Sequence, residues 1–199
     1  LLLTNAKGAH PRVLVEGPPL SAMVDTLAAL NNRALIIDRI ATPCWSPDGE
    51  RIAYVQDGVR ILTVGNSSIE VAQQGPYYPE YGEWVHRHAV SEVLAWSPHG
   101  GHLLVRAYEL PLASLWHREI ALVPATGGLR RLADARSSTF GWNSDGQTLF
   151  LGSPTVGGAD ALLRCAVDGP CTMIAEDVPA RFASFYAFPY VASPESIYV

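Results

Sequence analysis

The sequence predicts an all-β chain of stacked four-stranded antiparallel units, the blades of a β-propeller, with about three full blades and partial ends. Three observations predict it. A Trp corner, Cys44-Trp45-Ser46-Pro47-Asp48-Gly49, recurs as Trp96-Ser97-Pro98-His99-Gly100 and again as Trp142-Asn143-Ser144-Asp145-Gly146. The corners stand at 45, 96 and 142, spacings of 51 and 46, close to a blade of about 40–50 residues. Between them recurs a second piece, two apolar runs joined by a Gly- or Asn-containing turn.

Each element follows from local chemistry. In the first corner Pro47 presets φ near −65° and Gly49 accepts a positive φ, so the chain reverses tightly. The run Ile52-Ala53-Tyr54-Val55 behind it reads as a strand. The hairpin copies are Leu1–Val15, Val59–Val71, Glu119–Leu132 and Leu162–Ile174. A weaker fourth corner, Ala192-Ser193-Pro194-Glu195-Ser196, lacks the Asp-Gly pair. A blade cannot bury both faces alone, so the corner Trp is expected to fill the interface between blades. Asn66-Ser67-Ser68 fits a glycosylation sequon, but its place in a hairpin makes turn chemistry sufficient.

Composition agrees. The chain has 199 residues, 48% of them hydrophobic, and a formal net charge of −5. That supplies a sizeable core and argues against a nucleic-acid face, which needs a basic patch. No apolar run reaches the roughly 18 residues of a membrane helix. Both ends read as strands in progress, which suggests a piece of a longer protein. Of three cysteines, Cys165 and Cys171 flank a turn. They read either as a cross-strand bridge, suited to an oxidising compartment, or as two small apolar strand residues; restrictive bridge geometry favours the second.

At Trp-Ser-Pro-Asp-Gly followed by Ile-Ala-Tyr-Val, and a hairpin ending in Arg-x-Leu, the chain resembles the WD-like repeat of TolB-type propellers. The third and fourth copies depart from that pattern. The resemblance implies the fold and several functional settings: a periplasmic partner protein, or the N-terminal gating propeller of a prolyl-oligopeptidase-like serine peptidase whose catalytic domain lies elsewhere. A sensor or regulator with a further segment upstream is a third setting. The expected location is periplasmic or extracellular.

The repeat also serves as a ruler. The expected units are 1–17, the end of a blade; 18–74, a blade with an N-terminal insertion; 75–134, a blade with two insertions; 135–178, a blade; and 179–199, the start of another. The extra residues fall at 18–42, 75–91 and 107–116. Leu20, Met23, Val24, Leu27 and Leu30 have helical spacing, and Ala34–Ile37 reads as a strand. Strands alternate in direction, so all three insertions emerge on one side of the disc, while corner and hairpin turns stay short on the other. Insertions on one side mark the working face.

The insertion Pro76–His88 is the richest. Tyr77, Tyr78, Tyr81, Trp84, His86 and Arg87, with Trp116 from the third insertion, are the candidate partner-binding residues, because Tyr, Trp and Arg are enriched at interface hot spots. The same aromatics also suit a lid packed on the disc. His86-Arg87-His88 beside Glu83 lacks a third ligand fixed by spacing, so no metal is assigned. No Gly-x-Ser-x-Gly elbow, His-Glu-x-x-His or phosphate loop occurs. The expectation is a non-catalytic scaffold without cofactor that binds a protein or peptide, not nucleic acid.

Overall fold

The computed structural model describes residues 1–3, 12–16, 40–74, 77–78, 83–84, 88–109, 118–133, 140–154, 160–178, 190–193 and 196–197. The helical spacing at 20–30 and the strand expected at 34–37 lie outside them. A two-stranded hairpin pairs β1 (Leu2–Leu3) with β2 (Arg12–Val13). The first blade is β3 (Ala41–Trp45), β4 (Arg51–Val55), β5 (Gly58–Thr63) and β6 (Ser68–Gln74), antiparallel and in sequence order. A small hairpin follows, β7 (Tyr77–Tyr78) with β8 (Glu83–Trp84). The second blade is β9 (His88–Trp96), β10 (His102–Glu109), β11 (Arg118–Pro124) and β12 (Arg130–Ala133). The third is β13 (Phe140–Asn143), β14 (Thr148–Pro154), β15 (Asp160–Ala166) and β16 (Cys171–Val178). A last hairpin, β17 (Tyr190–Ser193) and β18 (Ser196–Ile197), adds to the third sheet, with β17 parallel to β13. No helix among the described residues is long and apolar enough to cross a membrane.

Ser-Pro-Asp-Gly turns a strand because its serine satisfies both sides of the corner. Ser46 Oγ accepts the Arg51 N–H at 2.9 Å, and Ser97 Oγ accepts that of His102 at 3.0 Å. Gly49, Gly100 and Gly146 take φ values of +73°, +66° and +64°, which only glycine adopts freely. The third corner has Asn143 where the others have serine, and Asp145 takes over: its Oδ1 accepts the Gln147 and Thr148 N–H groups at 2.8 and 3.0 Å. The departure in sequence is thus a relocation of one acceptor.

Alternation along each strand feeds a core on each side of a blade. Ala53, Val55, Val59 and Ile61 of the first blade meet Val93, Trp96, Leu103, Val105 and Val123 of the second. Leu104, Ile120 and Leu122 of the second meet Phe140, Trp142, Leu149 and Leu151 of the third. Tyr54 and Leu62 meet Val15, with Leu1, Leu14 and Ile40 against them. Both faces of β4 are therefore apolar, as Ile52-Ala53-Tyr54-Val55 shows.

Polar bonds lock the blades at three radii. On the inner strands, Thr42 Oγ1 accepts the Val93 N–H at 2.8 Å, from a bulge that places Thr42 at φ +48°. At the corners, the Trp96 indole donates to Cys44 O at 2.9 Å, while Arg51 lies 4.9 Å from the Trp96 ring and donates to Gly100 O at 3.1 Å. At the rim, Arg12 donates to Ser67 Oγ at 2.8 Å, and Arg130 donates to Gly169 O and Ala166 O at 2.7 and 2.6 Å. An arginine on an outer strand thus holds the next hairpin turn, and Ser68 N–H to Asn66 Oδ1 at 2.9 Å shows the Asx chemistry of one such turn.

Two expectations change. Trp96 and Trp142 are 6% exposed, but Trp45 is 47% exposed; among the described residues, no inner strands and corner cover its side of the first blade as they cover the other two. Cys165 and Cys171 are not merely apolar strand residues: they oppose one another across β15 and β16 and form a disulfide. Cys44 is a free thiol.

Candidate functional site: the loop-bearing face

Each first strand runs into its corner, so its start and the connection between second and third strands lie at the opposite end of the blade. That end carries the β4–β5 turn at Gln56-Asp57, the β7–β8 hairpin, the start of β9, the end of β10 and the start of β11. The structure starts β9 at His88 and ends β10 at Glu109, so 88–91 and 107–109, expected within insertions, extend the blade instead. A strand can grow outward because each added residue makes another ladder bond.

Tyr77, Tyr78 and Trp84 come together on the β7–β8 hairpin, with Tyr77 opposite Trp84 and Tyr78 opposite Glu83 in register. Tyr81, His86, Arg87 and Trp116 lie outside the described residues. In the chain the hairpin stands between β6 of the first blade and β9 of the second.

The blades supply charge that reasoning from motifs missed. Glu119 is 2% exposed at the start of β11, and Arg131 Nε stands 3.3 Å from its Oε1. Arg106 Nη1 contacts Glu92 Oε2 at 2.6 Å across β9 and β10. Pairing of this kind is what makes a buried carboxylate tolerable. The available signal was one acidic residue heading the run Ile120-Ala121-Leu122-Val123. On the first blade, Asp57 takes φ +47° in the β4–β5 turn and Arg60 Nε donates to Gln56 O at 2.6 Å. Burial pushes the Tyr54 phenol up, opposed by the Arg60 charge. Among the described residues, no group of three or more His, Cys, Asp or Glu is placed to hold a metal.

TolB from Acinetobacter baumannii superposes over 98% of this chain with a TM-score of 0.53 at 16% identity. The fold is that of a TolB-like β-propeller. The chain spans 40% of the length of that TolB. The C-terminal WD40 domain of Sif2 covers 70% of the chain and 37% of its own length, with a TM-score of 0.45 at 19% identity. A gluconolactonase, XC5397 from Xanthomonas campestris, covers 72% and 52%, with a TM-score of 0.42 at 14% identity. The fold assignment rests on the first of these alone. No family model matches the chain, and no curated protein does. The propeller is a scaffold of packed blades, and its connections from β6 to β9 and from β10 to β11 leave from one side.

Proposed function

We propose that this propeller is a non-catalytic scaffold that binds a protein or peptide through its loop-bearing face. The observation that carries the reading is the β7–β8 hairpin, which sets Tyr77 opposite Trp84 on an aromatic insertion that stands in the chain between β6 and β9. Aromatic side chains bring large contact area at low entropic cost, which is why they dominate interface energetics. Rigid blades position such a loop without sharing its sequence constraints. The division into units 1–17, 18–74, 75–134, 135–178 and 179–199 belongs to the same reading. So do Tyr78, Tyr81, His86, Arg87 and Trp116 as further contacts. A periplasmic or extracellular location is supported by the Cys165–Cys171 disulfide, since such bonds persist where thiols are not kept reduced.

The test is a triple substitution, Tyr77→Ala, Tyr81→Ala and Trp84→Ala, in the full protein. Capture of partners from the native source is expected to vanish while the melting temperature holds. Unchanged capture refutes the assignment of this face.

A further inference from the structure

Four Asp-Gly pairs occur in the chain, at residues 48–49, 57–58, 145–146 and 168–169. Such a pair carries a latent reaction: the glycine nitrogen, unshielded by a side chain, can attack the aspartate Cγ and close a five-membered imide. Three of the pairs hold the same place in a tight turn, with the glycine N–H bonded to the carbonyl three residues earlier. Gly49 reaches Ser46 O at 2.9 Å, Gly146 reaches Asn143 O at 3.0 Å and Gly169 reaches Ala166 O at 3.3 Å. The backbone setting is therefore alike, and the carboxylates differ.

At the corners the carboxylate is held. Asp48 accepts the Ser46 hydroxyl and the Glu50 N–H. Asp145 accepts the Gln147 and Thr148 N–H groups, the Thr148 hydroxyl and the Asn143 amide. Asp57 is half-buried and Gly58 is buried, with Asp57 Oδ1 away from water. Asp168 is exposed, and its carboxylate has no hydrogen bond or ion pair among the described residues. The Gly169 N–H makes the longest of the three turn bonds, beyond the usual limit of about 3.2 Å. Its acceptor, Ala166 O, is shared with Arg130 Nη2 at 2.6 Å. Arg130 and the Cys165–Cys171 disulfide hold the ends of this turn, and neither bonds the Asp168 carboxyl.

We propose that Asp168-Gly169 is a modification site of the folded protein, where the aspartate isomerises to a β-linked isoaspartate. The Gly169 nitrogen attacks Cγ of the protonated Asp168 carboxyl. The N–Cγ bond forms, and the carboxyl hydroxyl leaves as water with the nitrogen's proton. Water then opens the imide at the Asp168 α-carbonyl: its oxygen adds there, the bond to the Gly169 nitrogen breaks, and a proton returns to that nitrogen. The water lost is the water regained, and nothing is oxidised or reduced. The chain now runs through the side-chain carbonyl, one methylene longer, and the α-carboxylate stands free. Ala166 O and Gly169 O then no longer sit together for Arg130, so the change releases the rim clamp between the second and third blades. A free α-carboxylate on a β-linked residue is the group that an S-adenosylmethionine-dependent isoaspartyl methyltransferase esterifies, which gives the class of enzyme that reads the site.

The experiment ages the whole chain at neutral pH and physiological temperature. Trypsin then places each Asp-Gly pair in its own peptide: residues 40–51, 52–60, 137–164 and 165–181. Isoaspartate is counted in each by methyl transfer from labelled S-adenosylmethionine with a purified isoaspartyl methyltransferase, and located by chromatographic splitting at unchanged mass. Peptide 165–181 is expected to gain isoaspartate about fivefold faster than the other three, the factor for one net hydrogen bond. In urea with reductant the four rates are expected to converge, because the fold makes the selection. Asp168→Glu keeps the charge but cannot close a five-membered ring, and should silence peptide 165–181 while far-ultraviolet dichroism stays native. Four results overturn the proposal: equal or faster conversion in another of these peptides of the folded protein; no conversion at Asp168 while the unfolded chain converts; the same ranking in urea; or an undiminished signal in peptide 165–181 of the glutamate variant.

Discussion

Alanine at the three corner glycines separates backbone strain from blade packing. Gly49→Ala, Gly100→Ala and Gly146→Ala all force a side chain to positive φ, from +64° to +73°, at about 1–2 kcal/mol each. Their surroundings differ. At Gly49 the new methyl meets nothing described within 4 Å, so among the described residues strain is the whole cost. At Gly100 it meets Arg51 Nη2 at 2.7 Å. The guanidinium ends a flexible chain and moves aside, but it gives up its bond to Gly100 O and its place on Trp96, adding about 1–2 kcal/mol. At Gly146 the methyl stands 2.7 Å from His99 Cδ2 and 3.4 Å from its Cγ, and displacing a ring costs about 1–3 kcal/mol. Urea denaturation followed by tryptophan fluorescence measures all three, with a constant slope confirming a common transition. The expected order is a small loss at Gly49 and losses larger by about 1–3 kcal/mol at the other two. His99→Ala in the Gly146→Ala protein should recover part of the loss and leave Gly49→Ala untouched, a coupling that only contacting sites show. Three equal losses refute the view that corner glycines are inter-blade contacts.

Further expectations concern the rim, pH and thiols. Arg130→Ala removes two charge-assisted bonds to the Ala166–Gly169 turn and should cost about 1–2 kcal/mol after allowance for solvent; protection of the 166–170 amides in hydrogen exchange should fall with it, and unchanged protection refutes the clamp. Ser46 Oγ and the Glu50 N–H hold the Asp48 carboxyl below its usual range. Burial pushes Asp145 up, but bonds from the Gln147 and Thr148 N–H groups, the Thr148 hydroxyl and Asn143 outweigh it and hold it down too. Carboxyls depressed on folding stabilise the fold above the unfolded carboxylate range, near pH 4, and lose that contribution as pH falls through their lower folded values. Asp145→Asn should therefore flatten the acid limb of a stability–pH curve; an unchanged limb refutes the assignment. Thiol titration in denaturant without reductant should find one free thiol, Cys44, and burial, which pushes that thiol up, should make it slow to alkylate in the folded state. Three titratable thiols refute the disulfide.

The sequence by itself determined the blade. Trp-Ser-Pro-Asp-Gly dictates a corner because proline, serine and glycine each answer a backbone need within six residues, and the period of the corners then implies four strands per unit. The side on which an insertion is expected to leave follows from counting, since strand direction alternates. Local chemistry of that kind is legible in one dimension. Contacts between blades were not. Nothing in the residues around Arg51 or Arg130 says that one reaches Gly100 O and the other two carbonyls beyond position 165, and nothing at Trp45 distinguishes it from Trp96. The same holds for Glu119 and Arg131, which meet only because β11 and β12 pair. The cysteine pair stood between two readings until the register of β15 and β16 set them opposite. These outcomes depend on which face of a strand meets which neighbour. Burial and pairing distance are properties of stacked sheets, and only the tertiary structure decided them.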